Sequence, residues 1–184
     1  MELIGPYVAA CLLLTVAGVV KAVRPMDTAR AVAAVVPLPL AATRGLVRAG
    51  AVAEAVVGTV ALARPTPVTA GLVALSYLGF AAFVAVVLAR GGPLATCGCF
   101  GKPDTPATRL HVVVNLVLAA SAATVAATVT PGWLPAVLAT QPWHGVPLLL
   151  VSLLCAWLAF LVLSRLAELG AARRLLGVTR EPVA

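Results

Sequence analysis

The chain has 184 residues, of which 62% are hydrophobic and only 10% are charged. A water-soluble domain is about 45–50% apolar and about 25% charged, so this composition excludes a soluble globular protein. The net charge of +7 does not indicate nucleic-acid binding, because the basic residues lie between apolar runs and not on one patch. The sequence therefore predicts a small integral membrane protein with a single membrane domain.

Charged residues divide the chain into five apolar runs, and each run is a candidate membrane span. A bilayer crossing needs about 20 helical residues, and only the second run, which contains Glu54, is clearly shorter. The segment 31–42 is also apolar, but it is short and holds Pro37 and Pro39, so we interpret it as interfacial or re-entrant. A cleaved signal peptide over 1–20 competes with the first span, but a basic n-region and a clear cleavage site are missing. The predicted spans are 3–20, 49–63, 68–89, 110–130 and 145–164.

The distribution of lysine and arginine predicts the orientation of the spans. With five spans, twelve of the thirteen basic residues fall on one side of the membrane, and Arg64 alone falls on the other. The positive-inside rule places the basic side in the cytoplasm. We therefore expect an all-α, multi-pass helical bundle in the cell (plasma or inner) membrane. Its N-terminus lies outside, whereas its third loop and its tail, residues 165–184, are cytoplasmic.

That third loop carries the most informative motif of the sequence. Cys97 and Cys99 are separated by Gly98, which lets the backbone take the tight conformation that brings two thiols together. A disulfide in so small a ring is strained, and strained accessible disulfides are the labile or catalytic kind. Lys102, Arg90 and the N-terminus of the fourth helix would stabilise a thiolate. The loop therefore predicts a thiol–disulfide exchange centre.

Two other interpretations of the cysteine loop stay open. Two thiolates suit a soft metal such as Cu(I), so Cys97 and Cys99 could make the protein a membrane metal carrier. Alternatively the two cysteines are structural, and the protein is a non-catalytic assembly factor. If the pair is redox-active, Cys97 is favoured as the attacking thiolate where Cys99, nearer the fourth helix, is the more shielded.

Four polar residues of the spans are predicted to lie at the same membrane depth as the cysteine loop. Lys21 ends the first span, Glu54 lies about 9 Å past Arg48 by helical rise, and His111 and Asn115 share one face of the fourth helix. Ionisable groups inside a membrane are costly and usually face a bundle interior or a functional cavity. We predict one polar pocket, in which Glu54 pairs with Lys21 or Arg48. His111 would exchange protons with the thiol, and Asn115 would orient the histidine.

Two further cysteines lie in the first and fifth spans. Cys11 and Cys155 have similar depth, so they could form a second dithiol if these spans touch. A lone cysteine in a membrane helix is more often a small apolar filler.

The motif Thr-Cys-Gly-Cys-Phe-Gly at residues 96–101, which includes Phe100, resembles that of the MauE-type methylamine utilisation membrane proteins. The helix that follows it, with His111 and Asn115, is part of the resemblance. The start of the chain is also similar to the broader DoxX/DoxD-like group, through Gly18, Lys21, Pro25, Arg48 and Glu54. The resemblance covers most of residues 5–130.

The resemblance implies a four-helix DoxX-like core with one added span, linked to thiol redox chemistry. It implies a thioredoxin-like partner, to which we add a sulfurtransferase as an alternative, and DoxD-type relatives imply coupling to a quinone. The family name by itself does not define methylamine as a substrate. Maturation of exported disulfide proteins, a role proposed for the family, would favour outward-facing cysteines. The charge distribution is the stronger argument and places Cys97 and Cys99 inside.

Overall fold

The structure, a computed structural model, describes residues 4–33, 35–90, 108–130, 133–159 and 161. Within these residues the chain is helical and contains no β-strand. A short 3₁₀ turn, Pro142–Gly145, precedes the last helix. The helices are α1 (Ile4–Val23), α2 (Pro25–Ala33), α3 (Leu40–Ala63), α4 (Pro67–Ala89), α5 (Arg109–Thr128), α6 (Trp133–Thr140) and α7 (Val146–Ala159).

Four of these helices, α1, α3, α4 and α5, are long and apolar enough to cross a membrane. The prediction of an all-α, multi-pass membrane protein is confirmed. The described part of α7 is apolar but shorter, at 14 residues or about 21 Å. It runs alongside α1 in the same direction, since Leu148 packs against the cluster of Ile4 and Val8, whereas Ala156 belongs to one cluster with Ala9 and Leu13. This direction is the one that a fifth span would have.

The bundle consists of two antiparallel helix pairs, α1 with α3 and α4 with α5. Helix α1 is the most buried of the four long helices, because α3, α4, α5 and α7 all contact it. The shared core is built from small and aromatic side chains of all four long helices. Its largest members are Tyr7, Leu14, Val73, Tyr77 and Val125. The outward faces of the four long helices carry exposed valine and leucine side chains, as expected for helices that contact lipid.

The helix ends follow from local sequence. Pro25 and Pro67 begin α2 and α4, where proline costs nothing because the first helical N–H has no partner in any case. A capping box fixes the start of α4. The Thr69 amide donates to the Thr66 hydroxyl at 3.1 Å, and the Thr66 amide donates to the Thr69 hydroxyl at 2.9 Å.

Helix α3 begins nine residues before the predicted second span. The predicted span begins after Arg48, because this charge interrupts the apolar run. Arginine is nevertheless a good helix former, and α3 already starts at Leu40, before Arg48. Pro39 and Pro37 lie immediately upstream, where the backbone is no longer helical. The segment 31–42, interpreted from sequence as interfacial or re-entrant, is divided among the end of α2, a short connection and the start of α3.

Candidate functional site

The backbones of α1 and α3 approach each other closely at two glycines. A Cβ atom on Gly18 would lie 2.6 Å from both the Ala51 oxygen and the Ala55 nitrogen. A Cβ atom on Gly58 would lie 2.8 Å from the Cys11 oxygen. Carbon atoms do not come this near to backbone atoms, so only glycine fits at either position. The close approach determines which side chains face each other along the rest of this interface.

One helical turn beyond Gly18, Lys21 of α1 forms an ion pair with Glu54 of α3. Only 6% of the lysine side chain and 19% of the glutamate side chain are exposed. The Lys21 ammonium also lies 4.4 Å from the centroid of the Phe80 ring, which α4 contributes. Three membrane helices therefore converge on one buried positive charge. The sequence allowed two partners for Glu54, Lys21 and Arg48. In the structure Glu54 pairs with Lys21, whereas Arg48 is exposed.

Burying two charges in an apolar bundle has a large desolvation cost, which only close pairing offsets. The Phe80 ring adds a cation–π contact to the ammonium. Within the described residues, no hydrogen-bond donor reaches Glu54 Oε2 apart from this ion pair. A buried pair of this kind can hold helices together, and its carboxylate can also exchange a proton with a neighbouring group.

His111 is buried at the start of α5, with 3% of its surface exposed. Its Nδ1 atom lies 2.8 Å from the hydroxyl oxygen of Thr108, the residue that precedes the helix. This bond fixes the orientation of the ring, a role that we had predicted for the half-buried Asn115. Within the described residues the hydrogen bond of the ring goes to Thr108 and not to the Lys21–Glu54 pair.

The ion pair and the histidine lie at the same end of the bundle. Helices α1 and α4 finish there, and α3 and α5 start there, because successive spans alternate in direction. We call this end, with its exposed side chains Arg24, Arg30, Arg44, Arg48, Arg90 and Arg109, the basic end. The cysteine motif lies between α4 and α5 in the sequence, within residues 91–107, which we call the cysteine segment. The described residues that border this segment, Arg90 and Thr108, lie at the basic end.

The predicted redox residues Cys97, Gly98, Cys99, Phe100 and Lys102 lie outside the described residues. The bordering residue Arg90 is described, and its guanidinium donates a 2.7 Å hydrogen bond to the Val35 carbonyl. The end of α4 is thereby tied to the connection between α2 and α3.

Cys11 and Cys155 are both free thiols. Helices α1 and α7 do touch, but α7 presents Ala156 to α1, and the neighbouring Cys155 is exposed. Cys11 is fully buried in the core among apolar side chains. The two cysteines thus do not form a second dithiol in this structure, and Cys11 is a small core residue.

Residues 3–128 of the chain match the family described as methylamine utilisation protein MauE. The match spans about two thirds of the chain and includes α1 to α5. The chain belongs to the MauE family. It is thus a multi-pass membrane protein of the methylamine utilisation group. No curated protein and no solved structure matches it.

Sequence reasoning missed two residues at the basic end of this MauE protein, Phe80 and Thr108. Phe80 lies in an uncharged span, and nothing in its neighbourhood indicates that its ring faces Lys21. Thr108 could have been found, because threonine is a favoured residue immediately before a helix and stands three residues before His111.

Proposed function

We propose that this MauE protein is a membrane thiol–disulfide oxidoreductase whose reactive groups are Cys97 and Cys99. The observation that supports the proposal best is the burial of Lys21, Glu54 and His111 at the end of the bundle that borders the cysteine segment. Ionisable side chains are kept inside an apolar bundle mainly where a reaction or a pathway needs them. A Cys-Gly-Cys pair is the reactive group that this sequence provides near them.

In the proposed reaction, the thiolate of one cysteine attacks a disulfide of a thioredoxin-like partner and forms a mixed disulfide. The second cysteine then attacks the first sulfur, so that the pair becomes a disulfide and the partner leaves as a dithiol. Two electrons and two protons pass to the partner. A second dithiol protein returns the pair to its reduced form; with a quinone as oxidant, the whole sequence runs in the opposite direction.

The buried side chains have separate parts in this proposal. His111, held at Nδ1 by Thr108, accepts the thiol proton on its other ring nitrogen or returns it. The carboxylate of Glu54 balances the charge of Lys21, and the ammonium favours the thiolate over the neutral thiol. The supporting residues are Arg48, Gly98, Phe100, Lys102 and Asn115. The basic end faces the cytoplasm, as the distribution of lysine and arginine indicates.

A redox titration tests the proposal directly. The protein with Cys11→Ser and Cys155→Ser keeps only the two motif cysteines, and it is reconstituted in liposomes and equilibrated in graded dithiothreitol buffers. A maleimide label then counts the free thiols. We expect Cys97 and Cys99 to become oxidised together as a two-electron couple with one midpoint potential. Cys97→Ser or Cys99→Ser removes the couple, whereas restoring Cys155 leaves it unchanged.

Kinetic measurements on the same protein separate the roles. Glu54→Gln and His111→Ala should each slow the exchange at least tenfold. His111→Ala removes the proton acceptor, and proton transfer by a positioned side chain typically contributes about 10²–10⁴ in rate. Glu54→Gln removes the carboxylate that holds the Lys21 ammonium in place. Two cysteines that never form a disulfide over the whole buffer range would refute the proposal. Stoichiometric copper that is lost with Cys97→Ser would identify a metal carrier instead, and a protein whose biological activity survives both serine substitutions would be an assembly factor.

A further inference from the structure

Helix α3 extends well beyond the end of α1. Gly18 lies opposite Ala51 and Ala55, and Lys21 pairs with Glu54, so Val23, the last residue of α1, is level with about residue 49 of α3. The first nine residues of α3 therefore project about 14 Å past the end of α1. Helix α2 packs against this projection, burying Ala29 and Thr43 completely. We call α2 and residues 40–48 together the α2–α3 platform.

The platform carries an excess of positive charge. Arg30, Arg44 and Arg48 are exposed on it, and Arg24 is exposed at its edge. Its one carboxylate among the described residues is Asp27, which lies 3.8 Å from the Arg30 guanidinium. Within the described part of the chain, Arg44 and Arg48 have no acidic partner. They are four residues apart, so the two guanidinium groups project from the same side of α3.

Apolar side chains are exposed beside these arginines. Val52 follows Arg48 by one turn and Val56 by two turns along the same side of α3, deeper in the membrane than the arginines; 50% and 56% of their surfaces are exposed. A soluble partner with an acidic surface would leave these valines unmatched. A bilayer interface matches both groups, because the valines lie in the acyl region while the guanidinium groups reach phosphates. The platform begins where the apolar spans end, which is the depth of the headgroups.

We propose that the α2–α3 platform binds the phosphate headgroups of anionic phospholipids through Arg44 and Arg48. The proposal does not depend on the chemistry of the cysteine segment. The two arginines provide charge attraction and donors for a phosphate, and Val52 and Val56 contact the acyl chains of the same lipid. The hydrogen bond from Arg90 to Val35 also joins the end of α4 to the connection between α2 and α3.

Native mass spectrometry of the full-length protein tests this binding. The protein is exchanged from mixed micelles that hold equal amounts of phosphatidylglycerol and phosphatidylcholine, and the retained lipids are counted. We expect preferential retention of phosphatidylglycerol. The double variant Arg44→Gln/Arg48→Gln should weaken this preference roughly tenfold to thirtyfold, as two lost headgroup contacts imply. Arg64→Gln is the matched control, because Arg64 is exposed at the opposite end of α3.

Further arms distinguish the lipid from other anions. Inorganic phosphate at millimolar concentration should not displace phosphatidylglycerol, because it lacks the acyl chains that contact Val52 and Val56. A synthetic glutamate-rich peptide should bind more weakly than the lipid. Equal retention of both lipids, an equal loss with Arg64→Gln, or tighter binding of the peptide that depends on Arg44 and Arg48 would each overturn the proposal. Far-UV circular dichroism verifies that each variant is folded.

Discussion

The two antiparallel helix pairs of this bundle are both apolar but pack in different ways. In the α1–α3 pair, Gly18 and Gly58 lie at the contact, and each opposes backbone atoms of the other helix. In the α4–α5 pair, Gly71 and Gly79 of α4 have open space where a Cβ would be. The contact there is made by alanine, valine and tyrosine side chains of α4 together with small side chains of α5.

This difference in packing accompanies a difference in charge. The close approach of α1 and α3 leads directly to the buried Lys21–Glu54 pair. Within the described residues, the α4–α5 pair has no ion pair at its interface, and its buried ionisable side chain, His111, lies at one end of α5. The comparison indicates that charge pairing between helices is concentrated in α1–α3, whereas α4–α5 contributes the Phe80 ring and His111. Substitutions can test each part of this comparison.

The largest effect is expected when one partner of the ion pair is removed. Glu54→Leu leaves a buried, unpaired ammonium, which should lower the free energy of unfolding by about 3–5 kcal/mol. Lys21→Met should destabilise the fold to a similar degree. The double variant Lys21→Met/Glu54→Leu should recover most of the loss, because an apolar pair replaces both charges. Thermal unfolding in detergent, followed by circular dichroism, measures all three.

The double variant also separates stability from function. If the charges serve only to join the helices, a stable double variant would keep the thiol exchange that we propose. We expect it to be folded and slow in exchange. A double variant as unstable as either single one would show that the two residues do not act as a pair.

The next largest effect should come from the glycine contacts. Gly58→Ala places a methyl group against the Thr15 and Cys11 backbones and should cost about 1–3 kcal/mol, because backbone atoms cannot move aside as a flexible side chain can. Gly71→Ala is the control on α4 and should be neutral or stabilising by up to about 1 kcal/mol, as alanine favours helix. Unfolding midpoints under identical conditions compare them, and equal effects would remove the packing distinction between the two pairs.

The sequence contains enough information for some of these features and not for others. Long uncharged runs identify α1, α4 and α5 within a few residues, because apolar length is what a bilayer crossing requires. The first nine residues of α3 lie outside the predicted span, because an arginine interrupts an apolar run without ending a helix. The pairing of Lys21 with Glu54 could be predicted from membrane depth alone, since both charged residues lie toward the cytoplasmic side predicted for their spans.

Features that depend on helix rotation could not be predicted in this way. The contact of Phe80 with Lys21 requires knowing which side of α4 faces α1, and α4 is apolar all round, so its pattern does not define a face. The roles of the glycines are undetermined for the same reason. Gly18, Gly58 and Gly71 look alike in sequence, and only the packed structure distinguishes the contacts from the open positions.

A smaller effect is expected at Phe80, the contribution of the α4–α5 half to the ion pair. Phe80→Leu keeps an apolar side chain but removes the cation–π contact and the edge-to-face contact with Tyr77, where the ring centroids are 5.8 Å apart. We expect a loss of about 0.5–2 kcal/mol. Phe83→Leu, at a half-buried position of the same helix, is the control and should cost less. In the Lys21→Met background the difference between the two variants should shrink, and a difference that persists would mean that Phe80 acts through packing alone.

The smallest effect on stability should come from Thr108→Val, which removes the hydroxyl that contacts His111 Nδ1. One hydrogen bond at a partly exposed helix start is worth about 0.5–1.5 kcal/mol at most. The informative readout is the ¹⁵N chemical shift of the imidazole, which reports the tautomer. A hydroxyl bonded to Nδ1 favours one tautomer, so Thr108→Val should shift the ring toward a mixture, whereas Thr108→Ser should retain the native signal. Since the proposed proton transfer requires the other ring nitrogen in one defined state, thiol exchange should fall more than stability does. An unchanged tautomer with slowed exchange would instead assign Thr108 a role in holding the cysteine segment beside α5.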